Sequence, residues 1–242
     1  MTTMQVAKKE LRTRIKKILA GVSRDSIIFQ SSIATQRLCS LPEYHSAQRL
    51  SIYLSMPTGE LETTEIVRDA FKRGKQVFVP YIYQQKTTSG AENRSPIMEM
   101  LALDSIDDYE SLQPDKWGIP TLDVATLSTR KNCFGGHGLR GESVEAVDGE
   151  ETGLDLVVVP GLGFDQQLRR IGHGKGYYDH FLNRGWGIQR DGIGRRPYLV
   201  ALALSEQVLP ESEQIPVADH DRIVDTVIIG DGRVLNRTDL EE

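Results

Sequence analysis

Leu50-Ser51-Ile52-Tyr53-Leu54 and Gln76-Val77-Phe78-Val79-Pro80 decide the fold, because of what lies between them. Each is a short apolar run with β-branched and aromatic members, which suits a buried, pleated surface. A Pro57-Thr58-Gly59 turn follows the first run, residues 62–73 read as a helix, and Gly74 is placed to stop it. Strand, helix and strand with short connections predict a parallel βαβ unit. Three more apolar runs follow: Leu154-Asp155-Leu156-Val157-Val158-Val159, Tyr198 through Leu204, and Ile223 through Ile229. Near-continuous apolar strands belong to sheets covered on both faces. Upstream, Leu11, Ile15, Ile18 and Leu19 recur at helical spacing within 4–20, and a second helix is expected over 26–40, before Pro42. The expected fold is α/β: a single three-layer α/β/α domain over residues 1–242 with a mainly parallel sheet. The polar, turn-rich segments 84–97 and 128–152 are expected to be loop insertions.

With 39% hydrophobic and 26% charged residues among 242, the chain has the balance of a globular protein with a sizeable core. A net charge of −5 argues against general nucleic-acid binding. No apolar run approaches the ~20 residues needed to span a bilayer, so no membrane partner is expected. Basic residues nevertheless gather at the start: Lys8, Lys9, Arg12, Arg14, Lys16, Lys17 and Arg24, against Glu10 alone among them. That segment fits an ordinary first helix, and also the composition of a mitochondrial presequence. A cytoplasmic location is the expectation and a mitochondrial one the alternative. Cys39 and Cys133 match no metal or redox spacing and read as reduced thiols, without a structural zinc site.

The chemistry centres on Gly172-His173-Gly174-Lys175-Gly176-Tyr177-Tyr178-Asp179, a short loop beyond the run at 154–159 and leading into a helix. Alternate glycines let backbone approach a ligand, Lys175 supplies charge, and helix-initial N–H groups favour an anion. This reads as a phosphate cradle. It is not a Walker A loop, because Gly176 follows Lys175, and the two tyrosines break the dinucleotide G-x-G-x-x-G spacing. A tight strand-to-helix turn is the ordinary alternative. Pro160-Gly161-Leu162-Gly163-Phe164-Asp165 and the pair Arg169-Arg170 favour the cradle, since ligands of open α/β sheets bind at carboxyl ends of strands. Asp179 serves either as a helix-initial acid or, beside a polyphosphate, as a Mg²⁺ ligand. Asp219, Asp221 or Asp225 could supply a second carboxylate, and spacing does not choose among them. Lys8 and Arg12, one turn apart at the border of the first helix's apolar stripe, either reach into a cleft or face solvent.

Taken together, these blocks resemble the 5-formyltetrahydrofolate cyclo-ligase (methenyltetrahydrofolate synthetase) family. The resemblance is carried by Lys8 through Arg12, Leu54 through Thr63, Pro160 through Asp165, Gly172 through Asp179 and, more weakly, Trp117-Gly118-Ile119-Pro120. It implies a layout shared with sugar-phosphate isomerases and CoA-transferases. It also implies the cofactors ATP and Mg²⁺, and a small-molecule substrate, 5-formyltetrahydrofolate, with or without a polyglutamate tail, handled by a monomer. In such enzymes the formyl oxygen takes the γ-phosphoryl group, N10 attacks the resulting N5-iminium phosphate, and loss of phosphate leaves 5,10-methenyltetrahydrofolate and ADP. Lys175, Arg170 and Glu60 are implied as catalytic. Lys8, Lys9, Arg12, Arg170, Gly172, His173, Gly174, Lys175, Gly176, Tyr177 and Tyr178 are implied around the nucleotide. Leu54, Met56, Glu60, Tyr177 and Trp117 are implied around the folate, with a buried core role as the alternative for Trp117. Asp179 and Asp221 are the implied Mg²⁺ ligands.

The chain departs from the family pattern in three places. His173 stands where arginine is usual, so a permanent charge becomes a titratable one. The Pro57-Thr58-Gly59 turn is one residue longer than usual, which sets Glu60 against Glu62, with Glu60 preferred. The loop 128–152 has no counterpart. A sugar-phosphate isomerase or CoA-transferase relative, and a folate-binding protein without turnover, are the alternative readings.

Overall fold

The computed structural model of the chain describes residues 3–84, 96–141, 151–186 and 195–237. Helices α1 (Thr3–Leu19), α2 (Arg24–Cys39) and α3 (Pro42–Ser46) lead into β1 (Arg49–Ile52), α4 (Thr64–Lys72) and β2 (Gln76–Tyr83). Next come β3 (Ile97–Leu103), α5 (Ile106–Ser111) and a small hairpin, β4 (Gln113–Pro114) with β5 (Pro120–Thr121). Strand β6 (Leu156–Val159), a second hairpin of β7 (Gly163–Phe164) and β8 (Arg170–Ile171), and α6 (Tyr177–Trp186) follow. The order closes with β9 (Tyr198–Ala203), β10 (Thr226–Ile229) and β11 (Val234–Asn236).

The main sheet has seven strands in the order β11-β10-β9-β6-β1-β2-β3. Its interior pairs are parallel, with Leu50 opposite both Val77 and Leu156, while β3 and β11 close the edges antiparallel. The chain steps from β1 outward to β2, then returns to the far side of β1 for β6, β9 and β10. Strand order therefore reverses between β1 and β6. Such a switch point opens a crevice beyond the carboxyl ends of the strands, where α/β proteins bind ligands.

Side-chain alternation divides the core into two layers. Leu50, Ile52, Val77, Leu156 and Val200 face a layer with Ile15, Ile27 and Ile66 from α1, α2 and α4. Phe78, Val157, Leu199 and Val227 face the other, with Phe181 and Leu182 of α6. The expected three layers and mainly parallel sheet are present. Local signals explain the element ends. Ser23 caps α2 by accepting from Ser26 N–H at 3.2 Å. Gly74 is the helix stop that sequence assigned to it; at φ +72° it ends α4 in a left-handed turn, with Lys75 N–H returning to Ala70 O at 3.0 Å.

One expectation shifts. Strand β1 stops at Ile52, and Tyr53-Leu54 continue buried but leave the sheet toward the site. Segment 128–152 is, over its described part, a loop tied to the core by buried side chains and isolated bridges. Arg130, 4% exposed, grips Asp108 through two nitrogens at 2.6 and 2.8 Å and donates to Ala102 O at 2.9 Å. Cys133 and Phe134 are fully buried beside β3. Two apolar residues among glycines are too short a run to register as periodicity. Residues 142–150, and 85–95 of the other insertion, lie outside the described residues.

Candidate active site

At the carboxyl end of β6 the chain turns into the β7–β8 hairpin, which Asp165 organises. This carboxylate is 1% exposed; Oδ1 accepts the N–H groups of Gln167 and Arg169 at 2.9 and 3.0 Å, and Oδ2 accepts that of Ile215 at 2.9 Å. The hairpin delivers Arg170, then Gly172 through Gly176 cross the open end of the sheet before α6 begins at Tyr177. Gly174 holds φ +95°, and a Cβ there would fall 3.3 Å from Arg12 Cζ. Only glycine combines that backbone angle with so close a cation.

Helix α1 lies against this loop. Ile15 is 1% exposed, and a Cβ on Gly163 would sit 2.5 Å from its Cδ1. With the helix so placed, Arg12 Nε donates to Gly172 O at 2.8 Å, and Lys8 Nζ reaches Asp221 Oδ2 at 2.5 Å. Arg12 therefore reaches around the helix edge onto the loop, and Lys8 onto the segment before β10, rather than into open solvent. Lys9 and Lys175 are exposed, and among the described residues the Lys175 ammonium forms no hydrogen bond or ion pair.

The two predicted metal carboxylates each hold a cation and a backbone N–H. Asp179 Oδ1 accepts Arg170 Nη2 at 2.5 Å and Arg222 N–H at 2.9 Å. Asp221 Oδ2 accepts Lys8 Nζ and, at 2.7 Å, Ala218 N–H. Burial alone would raise the Asp221 pKa, but the Lys8 and Ala218 hydrogen bonds and the Lys8 charge hold it below the usual carboxylate range. These contacts fall on one oxygen of each carboxylate; of the second oxygens, which would be the donors for a metal, Asp221 Oδ1 has His220 Nε2 at 3.8 Å. That donor set suits Mg²⁺, which takes one or two carboxylates and fills its octahedron with phosphate oxygens and water. Among the described residues no group of three or more His, Cys, Asp or Glu could enclose a metal by itself.

On the β1 side, Glu60 is 8% exposed, and its Oε2 accepts Met56 N–H at 3.1 Å. Burial pushes its pKa up to about 7, against the pull of that N–H. His173 Nε2 stands 3.9 Å from Glu60 Oε1. Its pKa is lowered by burial, then by the charges of Lys16 and Arg12, so the imidazole is neutral at pH 7. Glu62, the competing acid, pairs with Arg24 instead. Leu54 is buried, while Met56 and Tyr177 are partly exposed. Trp117 is not a core residue: 64% exposed, it stands in the β4–β5 turn with Lys116 Nζ 4.2 Å from its ring centroid. Gly118 backs onto Pro57 closely enough that a Cβ would lie 2.6 Å from Pro57 Cγ, so the Trp117 turn touches the turn that leads to Glu60.

Sequence reasoning missed Lys16, although Lys8, Arg12 and Lys16 repeat at four-residue spacing and so share one helix face. It also missed the Arg222 and Ala218 N–H groups, which carry no side-chain signal. Two concavities lie at the opposite, amino ends of the strands. One, of about 270 Å³, includes Arg49, Gln76 and Lys131; the other, of about 940 Å³, includes Asp155, Tyr198 and Asp225. In the second, Asp155 is taken up by Gln48 and Arg49 N–H and Asp225 by Leu199 N–H, which is a structural use.

A cationic, glycine-rich loop at the switch point of a mainly parallel sheet, with a buried acid beside it, is the layout of an α/β enzyme whose site lies beyond the carboxyl ends of the strands. The sequence pattern of the 5-formyltetrahydrofolate cyclo-ligase family matches residues 4–230, and the chain belongs to that family. It is 36% identical to a mouse (Mus musculus) 5-formyltetrahydrofolate cyclo-ligase over 230 residues, 95% of this chain and 96% of that protein. A probable 5-formyltetrahydrofolate cyclo-ligase of Schizosaccharomyces pombe is 31% identical over 93% of this chain and 96% of its own length. The NMR structure of Aquifex aeolicus 5,10-methenyltetrahydrofolate synthetase has the same fold, with a TM-score of 0.60 at 23% identity over 95% of this chain and 92% of that one. The protein is therefore an enzyme of the cyclo-ligase class in folate one-carbon metabolism, rather than an isomerase or transferase on a similar layout.

Proposed function

We propose that the enzyme converts 5-formyltetrahydrofolate and ATP to 5,10-methenyltetrahydrofolate, ADP and phosphate, with Mg²⁺. The observation that carries this is the meeting of Lys8, Arg12, Arg170 and Lys175 around one glycine loop, next to the buried carboxyl of Glu60. A formamide oxygen is a poor leaving group, and MgATP supplies the phosphoryl group that makes it a good one. The protein's part is to bind, align and neutralise charge. The loop N–H groups and the start of α6 hold the phosphates, and Arg12 and Lys175 balance their charge. Lys175, with no partner among the described residues, is free to follow the transferring group. Asp179 and Asp221 would hold the metal through their second oxygens.

Glu60 accepts N–H donors of the folate ring, Leu54, Met56 and Tyr177 line its apolar side, and Trp117 covers the mouth. Action as a monomer is part of this reading. The unpaired thiols of Cys39 and Cys133 support a reducing compartment, the cytoplasm first. Among the described residues no helix is long and apolar enough to cross a membrane.

The decisive assay mixes protein, 5-formyltetrahydrofolate and MgATP and follows the near-ultraviolet absorbance of the methenyl product. Mg²⁺-dependent turnover that Lys175→Ala lowers at least ~100-fold supports the reading. Folate binding without any turnover would replace it with sequestration.

A further inference from the structure

Helix α1 runs along the site from one side to the other. Lys8 near its start meets Asp221, Arg12 in its middle meets the cradle, and its last turn meets the turn before Glu60. A Cβ on Gly174 would lie 3.3 Å from Arg12 Cζ, and one on Gly59 would lie 3.9 Å from Leu19 Cβ. The seven-residue step from Arg12 to Leu19 covers about 10 Å of helix axis. The cradle and the acid are thus held an interval apart, and His173 reaches across it, with Nε2 3.9 Å from Glu60 Oε1.

Lys16 lies in that interval. It follows Arg12 by four residues and precedes Leu19 by three, so the three share one face of the helix. Its side chain is exposed and forms no hydrogen bond or ion pair among the described residues. Its charge is felt in the cradle: burial is the largest cause lowering the His173 pKa, and Lys16 comes next, ahead of Arg12. Lys16 therefore brings to the interval a fixed charge that the imidazole lacks at pH 7. Like charges four residues apart on a helix repel and weaken it. Asp221 answers Lys8, but among the described residues no carboxylate pairs with Arg12 or Lys16. An anion bound between the cradle and Glu60 would turn that repulsion into affinity.

We propose that Lys16 is a further phosphate-binding residue of the site, its ammonium pairing with the terminal phosphoryl oxygens of the nucleotide. The inference rests on the proposed function, in which that group passes from the cradle toward the folate beside Glu60. In the transfer the formyl oxygen bonds to the γ-phosphorus, the bond from phosphorus to the ADP oxygen breaks, and ADP leaves with that electron pair. Lys16 keeps its protons and balances the charge on the phosphoryl oxygens throughout.

The test is Lys16→Met in the full-length protein, with Lys17→Met as control. The control loses the same charge one position on, about 100° around the helix. Calorimetric titration with MgATP and with MgADP, in the absence of folate, reads the contact. Lys16→Met should bind MgATP roughly 10-fold more weakly and MgADP within about twofold of wild type, while Lys17→Met changes neither. Unchanged MgATP binding would make Lys16 a solvated surface charge. That result, an equal loss for both nucleotides, or an equal loss in Lys17→Met would each overturn the proposal. If wild type binds MgATP but does not turn over 5-formyltetrahydrofolate, the functional reading fails and the contrast between nucleotides still decides Lys16. If wild type binds neither nucleotide, both fail.

Discussion

Lys8, in the first helix, and Asp221, 213 residues later, form an ion pair of 2.5 Å across the mouth of the cradle. In the proposed function each group would serve a different part of MgATP, the lysine the phosphate and the carboxylate the metal, and the pair would hold both charges in position before the nucleotide arrives. Lys8→Ala should raise the KM for ATP roughly 10-fold, the usual effect of a lost charge-assisted hydrogen bond. It should also lower the Mg²⁺ concentration for half-activity, because Asp221 no longer has a competing cation. Steady-state kinetics with ATP and Mg²⁺ varied separately would check both, and an increase in both constants would speak against the exchange of partners.

His173→Arg should tighten nucleotide binding. The wild-type imidazole is neutral at pH 7, because burial, Lys16 and Arg12 lower its pKa. Arginine restores a fixed charge, so affinity for ATP should rise roughly three- to tenfold near pH 8. The gap should narrow as pH falls through the lowered pKa of the wild-type histidine, which there gains its own proton. Calorimetric titration at both ends of that range is the measurement, and equal affinity throughout would remove the charge argument.

Glu60 makes stability depend on pH in the reverse of the common carboxylate sense. Its folded pKa is raised to about 7 from 4.5, so between those values the unfolded chain binds fewer protons than the native one. That stabilising contribution is complete below the unfolded value and is lost as pH rises through the folded one. Glu60→Gln should remove the loss, so its stability relative to wild type should improve by on the order of 3 kcal/mol from about pH 4 to about pH 8. Urea melts at the two ends would read it. The same variant should bind 5-formyltetrahydrofolate more weakly near pH 8, where wild-type Glu60 is ionised and a full acceptor.

Gly163→Ala should act at a distance. The added Cβ would meet Ile15 Cδ1 at 2.5 Å and the Gln207 carbonyl at 3.3 Å. Ile15 can bend, but only by moving α1, and Lys8 and Arg12 ride on that helix. The variant should lose about 1–3 kcal/mol of stability and bind ATP more weakly, although no ligand-facing atom has changed. Adding Ile15→Val should recover part of both losses; recovery of stability alone would mean that the helix position does not matter to the nucleotide.

The parallel strands, the helix stop at Gly74 and the loop from Gly172 to Gly176 were legible in the amino-acid order. Each rests on short-range chemistry: apolar period, backbone freedom and helix-end dipoles act within a few residues. The family blocks likewise pointed to Lys8, Arg12, Glu60 and Asp221. The antiparallel edges β3 and β11 were not legible, because strand direction depends on where the chain re-enters the sheet. Nor were the burial of Arg130 on Asp108, the exposure of Trp117, or the choice of Glu60 over Glu62 decided by spacing.

What sequence alone determined was the kind of sheet and the kind of cradle, since those follow from neighbouring residues. Only tertiary structure decided that Lys8 meets Asp221 and that Arg12 leans on Gly172. Those relations join distant parts of the chain. Contact at that range is set by how α1 and α6 pack on the sheet, and no local pattern of residues encodes it.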